Sequence, residues 1–247
     1  MHYTFRYAMI IGFLMTQAAH AGVGKVSTPH VEKNEFEIEY NGRRTGDNER
    51  ADNNNQRHLL EVEYGVSDAW QIGLEFEARR SATSQLGLQA YGVETQYELT
   101  TQNTWWLASA LKAEYLLPAD AGDASEGELL LLLQRDQGLI RLVANIELAR
   151  EFGDNRDGGV ELETALQGIY RWNKHLSPGV EWFAEYGNID NFNSTNRQEH
   201  FLGPMLKGEL FELGNGEIGY EAGYYWGLTD SSADNAQRIK LSYELEF

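Results

Sequence analysis

From Arg238 to Phe247 the chain alternates without a break. Ile239, Leu241, Tyr243, Leu245 and Phe247 fall on one side of an extended strand, and Arg238, Lys240, Ser242, Glu244 and Glu246 fall on the other. A repeat of two, apolar against charged, describes a strand with an oily environment on one face and water on the other. The same alternation opens at 35–40, 60–64 and 70–77. It recurs at 88–99, 105–116, 127–135, 139–152, 160–172, 179–187, 200–210, 217–227 and 237–247, giving about twelve strands. Most are longer than the roughly five or six residues of soluble sandwich strands. They match the roughly nine to eleven residues a tilted strand needs to cross a bilayer.

The links between these runs differ in kind. Open polar links lie at 43–56, 80–87, 117–126, 153–159, 188–199 and 228–236, although 80–87 is short. Tight turns lie at 67–69, 100–104, 136–138, 173–178 and 211–216. Long and short links in strict turn predict an all-β fold, a closed antiparallel up-and-down transmembrane β-barrel. Both ends of the sheet then lie in the periplasm, with the long loops outside. Aromatic residues near strand ends, such as Tyr64, Trp70, Tyr97, Trp105, Trp172 and Trp226, suit the two interfacial girdles of such a barrel.

The two faces of the predicted sheet carry different chemistry. One collects Ile38, Val62, Leu74, Val93, Leu107, Leu142, Leu166, Val180 and Leu241, and is expected to face lipid. The other collects Glu37, Glu39, Glu61, Glu63, Glu75, Glu77, Glu94, Glu114, Glu161, Glu163, Glu181, Glu185, Glu209 and Glu244. Its basic residues are fewer: Arg79, Lys112, Arg141, Arg171, Lys207, Arg238 and Lys240. A dry interior could not hold so many carboxylates without partners or protons. This face is therefore expected to be a wet, ion-paired lumen that attracts cations, with Arg79, Arg141, Arg171, Lys207 and Arg238 forming stiffening ladders.

The N-terminus reads as an export signal. An apolar run from Tyr7 to Ala19 precedes the small-x-small site Ala19-His20-Ala21, so a signal peptide over 1–21 and a barrel over 22–247 are expected. The run is too short to span a bilayer as a helix, and no later segment is long and apolar enough to do so. No cysteine occurs, which excludes disulfides and thiol catalysis. The net charge of −18 argues against binding nucleic acid.

The last strand, ending in Phe247, resembles the C-terminal signature of bacterial outer-membrane barrels, which the barrel-assembly machinery reads. In plan, length and leader the chain is similar to the small monomeric twelve-stranded outer-membrane channels, among them the oligogalacturonate- and sialate-specific porins. It departs from them in having an acidic lumen. The hairpin Glu61-Val62-Glu63-Tyr64-Gly65-Val66-Ser67-Asp68-Ala69-Trp70-Gln71-Ile72-Gly73-Leu74-Glu75 resembles one found in transporters of the MetA-pathway phenol-degradation type.

These resemblances imply a monomeric Gram-negative outer-membrane channel, surrounded by lipid and lipopolysaccharide, without enzymatic activity, cofactor or metal. Its expected solutes are small and neutral or cationic. Two alternatives stand beside it. One is a non-conducting scaffold, adhesin or partner of an envelope complex. The other is a rim hydrolase built on His58 or His200 with Asp47, Asp52 or Asp190. The segment Asp154–Gly159 superficially resembles a calcium loop, but it lacks the spacing and closing Glu of one.

Overall fold

A computed structural model describes residues 22–48 and 53–247; the expected signal peptide and Asp52 lie outside them. Twelve strands form one closed sheet: β1 (Glu35–Gly46), β2 (Gln56–Ser67), β3 (Trp70–Arg80), β4 (Gly87–Thr100), β5 (Ala108–Pro118), β6 (Ser125–Gln137), β7 (Ile140–Phe152), β8 (Glu161–Tyr170), β9 (Ser177–Asn188), β10 (Glu199–Leu213), β11 (Gly216–Gly227) and β12 (Asn235–Glu246). Each pairs antiparallel with its neighbour in sequence. The ring closes where β1 pairs with β12, from Glu35 opposite Glu246 to Gly46 opposite Asn235. Closure leaves no free edge, which a sheet within hydrocarbon requires.

The alternation sorts the side chains as the sequence predicts. Val93, Leu142, Val180 and Leu241 are exposed on the outside, whereas Glu39, Glu61, Glu75, Glu77 and Glu181 are buried inside. So much exposed apolar surface around a whole barrel would not stay dispersed in water, but it suits a bilayer. Rings mark both borders of the belt. Tyr64, Trp70, Tyr97, Trp105 and Trp172 lie toward the end with the tight turns; Tyr91, Phe152 and Trp226 lie toward the end with the longer loops.

Leu107 departs from its expected place. β5 begins only at Ala108, and Leu107 is buried in the preceding turn, where its carbonyl accepts from Thr100 Oγ1 at 3.1 Å. The polar link expected over 43–56 is also shorter, because β1 continues through Arg43 to Gly46 and β2 starts at Gln56.

The segment ahead of β1 runs inside the barrel. Gly22 lies against Arg43 and Glu199 near the loop end. At the turn end the Asn34 amide donates to Gly65 O at 2.8 Å. Asn34 reverses the chain into β1 with φ of 64°, a left-handed conformation that Asn tolerates better than most residues. An extended segment of this length reaches about 40 Å, enough to run the height of the barrel.

A buried extended chain without a strand partner must bond to side chains. Asn145 supplies a two-way bridge, accepting from Ser27 N and donating to Ser27 O, both at 2.8 Å. Gln96 donates to Thr28 O and His30 O, and the Glu98 carboxylate accepts from Val31 N. Arg43 and Arg238 donate to Val23 O and Gly24 O. Val23 and Val26 pack into an apolar patch on the inner wall made by Val143, Ala165, Phe183, Phe201, Tyr225 and Ala236.

This face assignment is testable by substitution. Arg in place of Val93 or Leu241 should destabilise the folded barrel by about 2–4 kcal/mol if the position lies near the bilayer midplane. Gln in place of the inward Glu163 should have little effect. Equal losses in a vesicle folding assay would refute the assignment.

Candidate functional site: the ion-paired lumen

Inward-facing rows of neighbouring strands place the carboxylates in ladders. Glu39, Glu61 and Glu75 lie side by side on β1, β2 and β3. Glu94, Glu114 and Glu128 do so on β4, β5 and β6. Gly73 stands between Glu63 and Glu94 in the register, and a Cβ there would collide with the Glu94 carboxylate. The missing side chain thus lets Glu94 lean toward its partners.

Those partners centre on Lys112. Its ammonium lies 2.5 Å from Glu94, 2.8 Å from Glu114, 3.5 Å from Glu61 and 3.8 Å from Glu63, and the side chain is only 3% exposed. Lys25, carried in by the N-terminal segment, sits 2.9 Å from Glu61 and 3.3 Å from Glu39. Lys240 closes the other side of Glu39. A second network joins Arg238 to Glu181 at 2.6 Å and to Glu221 at 3.1 Å, with Lys207 at 3.0 Å from Glu221 and the Tyr225 hydroxyl donating to Glu181. Glu77 is shared by Arg57, at 2.7 Å, and Arg79. Among the described residues, triads such as Glu61, Glu63 and Glu94 bring carboxylate oxygens within 4.8 Å of one another. Lys112 already provides the positive charge there, so the triads need no metal to exist.

The anticipated residues occupy three interior cavities and their surroundings. Glu37, Glu39, Glu63, Lys112, Lys207, Lys240 and Glu244 line a turn-end cavity of ≈ 600 Å³. Arg141, Arg171 and Glu209 line a neighbouring one of ≈ 830 Å³. Glu61, Glu75, Arg79, Glu114 and Glu163 line a narrower cavity of ≈ 110 Å³ nearer the loop end. Glu161 lies apart, in a small cleft beside the 153–160 loop. Glu185 stands opposite Glu163 and Glu199 in the register. Arg141 and Arg171 do not form a ladder of their own, because both converge on Asp136 at 2.8 and 2.9 Å.

Sequence reasoning missed Lys25, Arg43 and Arg57, and also the apolar patch that receives Val23 and Val26. The two arginines carry on the Glu39-Asn41-Arg43 and Arg57-Leu59-Glu61 alternation, so extending each strand by three residues would have found them. Nothing in the periodicity signals that Lys25 returns into the lumen.

The rim histidines face the outer side. His58 Nδ1 is 2.7 Å from the Tyr40 hydroxyl, and its Nε2 is 3.4 Å from Gln56. His200 Nε2 is 2.9 Å from Gln198, and its ring packs against Trp182 and Tyr186. Asp47 accepts from the Asp234 amide instead. Phe247 follows β12 with its ring exposed and its amide directed to Asn34 O at 3.3 Å.

No family model matches the chain, and no curated protein matches it. Solved structures do. An outer-membrane channel from Pseudomonas putida F1 superposes with a TM-score of 0.59 at 15% identity, over 91% of this chain and 100% of that one. A KdgM porin in complex with disordered oligogalacturonate superposes with a TM-score of 0.55 at 8% identity, over 85% and 99% of the two chains. A further KdgM porin structure gives 0.51 at 10% identity, over the same shares. The fold is thus that of bacterial outer-membrane β-barrel channels with twelve strands.

Lys112 is the keystone of the site. Its replacement by Met leaves Glu61, Glu63, Glu94 and Glu114 buried with one cation fewer. This should cost about 3–5 kcal/mol of folding stability, the usual effect of removing one partner of a buried ion pair. Lys174→Met, at an exposed turn, should change little. Similar stability of the two variants in a denaturant titration would contradict the network.

Proposed function

We propose that the protein is a monomeric passive channel of the Gram-negative outer membrane for small neutral or cationic solutes. The observation that carries this reading is the closed wall around interior cavities lined by more carboxylates than cations. Among the described residues Glu39, Glu61, Glu63, Glu75, Glu77, Glu94, Glu98, Glu181 and Glu221 are buried, and the Lys and Arg that pair with them are Lys25, Lys112, Lys207, Lys240, Arg57, Arg79 and Arg238. Low-dielectric walls confine the field of such a surplus and raise the local concentration of cations. The channel-like fold supports the same reading.

In this reading the turn end faces the periplasm and the apolar belt meets lipid and lipopolysaccharide. Phe247 serves the barrel-assembly machinery, and residues 1–21 are removed on export. The segment Gly22–Asn34 narrows the path at the level of Lys25. The turn-end cavities act as a vestibule below that constriction.

The lumen-crossing contacts of Lys25 and Ser27 favour a second reading, a non-conducting barrel that displays its loops to a partner.

Planar-bilayer recording under a KCl gradient decides between them. The expected reversal potential has the cation-selective sign and shrinks as total salt rises, because ions screen the lumen charge. Anion selectivity would overturn the acidic-lumen reading. Absence of any conductance would overturn the channel and favour the scaffold.

A further inference from the structure

The narrow cavity at the loop-end side has two walls that differ in charge: one carries all its arginines, the other only carboxylates. One is an arginine row. Arg238 stands opposite Arg43 in the β12–β1 register, Arg43 opposite Arg57 in β1–β2, and Arg57 opposite Arg79 in β2–β3. Arg238 is fully enclosed with Glu181, which leaves Arg43, Arg57 and Arg79 to line the cavity. Arg57 and Arg79 share one carboxylate, Glu77, while Glu75 of β3 lines the cavity beside them and Lys25 holds Glu61, so this wall carries guanidinium groups among paired carboxylates.

The other wall is made by β6, β7 and β8. Glu128, Glu147 and Glu163 line the same cavity, and none of them makes an ion pair with a Lys or Arg among the described residues. Glu147 and Glu163 stand opposite each other in the β7–β8 register. No ion pair within 4.0 Å joins these carboxylates to the arginines among the described residues. A field therefore crosses the lumen, held there by the low-dielectric wall.

A solute with a single charge is drawn to one wall and repelled by the other. A solute carrying both charges satisfies both walls and adds no net charge. We propose that this cavity binds a small zwitterionic solute, its anionic group on Arg57 and Arg79 and its cationic group on Glu147 and Glu163. The volume of ≈ 110 Å³ admits only a short skeleton. Gly24 of the N-terminal segment forms another side of the cavity, and a Cβ there would meet nothing within 4 Å. The glycine thus leaves open the space the solute takes. This inference rests on the lumen being a solute path and names its solute class.

The test uses the complete folded barrel. Saturation-transfer NMR with 4-aminobutyrate, butyrate and butylammonium reads binding, and bilayer recording of the same preparation reads conduction. The zwitterion should bind about tenfold more tightly than either singly charged analogue, the worth of one charge-assisted contact. R57Q/R79Q should remove the advantage over butylammonium, and E147Q/E163Q the advantage over butyrate. Gly24→Leu, which fills the space without touching a charge, should abolish binding of the zwitterion in a barrel that still folds. Equal binding of the three probes, or zwitterion binding untouched by Gly24→Leu, overturns the proposal. Zwitterion preference in a barrel that does not conduct would uphold this site and overturn the channel reading alone.

Discussion

The pairing of β1 with β12 is the constraint on which the rest of this molecule depends. A two-faced sheet with an open edge could leave its carboxylates in bulk water. Once Glu35 meets Glu246 and Gly46 meets Asn235, one face is outside for good and the other is enclosed. The outer face then needs hydrocarbon and the inner face needs counter-charge. Lys112 and Arg238 supply part of that counter-charge from the wall. Neither pairs with Glu39, which Lys240 of the wall holds on one side and Lys25 of the N-terminal segment on the other.

The N-terminal segment is thus part of the interior chemistry as well as an obstruction. Its Lys25 balances wall carboxylates, its Val23 and Val26 cover an apolar patch, and wall side chains satisfy its backbone. Each of these contacts also fills part of the lumen. The wide cavities on the turn side and the narrow one toward the loops follow from the track the segment takes. In the proposed channel, selectivity would be set less by the total of acidic residues than by which of them remain without a cation. Glu61, Glu63 and Glu77 are taken up in ion pairs, whereas Glu128, Glu147 and Glu163 still face open space.

Much of this was legible in the sequence because strand periodicity is local. Positions such as Leu241 against Lys240 report the face on which each residue lies, wherever the neighbouring strand comes from. Twelve strands, their order and the inward Glu rows follow from that signal together with the alternation of long and short links. Two things did not follow. The ends of strands lack contrast when both faces turn polar, so Arg43 and Arg57 read as loop residues, although they complete a row with Arg79. The path of Gly22–Asn34 is decided by contacts distant in sequence, such as Ser27 with Asn145. A short stretch of Val, Gly and Ser carries no periodicity that could announce them. The acidic inner face was expected from the strand alternation, not from composition; where its arginines gather depends on register around the closed ring.

In the proposed channel the N-terminal segment sets the width of the water path. The most direct measurement is the single-channel conductance of the mature chain beside that of a variant lacking residues 23–32. Discrete openings are expected in both, with a several-fold larger step in the shortened chain and cation preference retained. An unchanged step size in a correctly folded variant would contradict it.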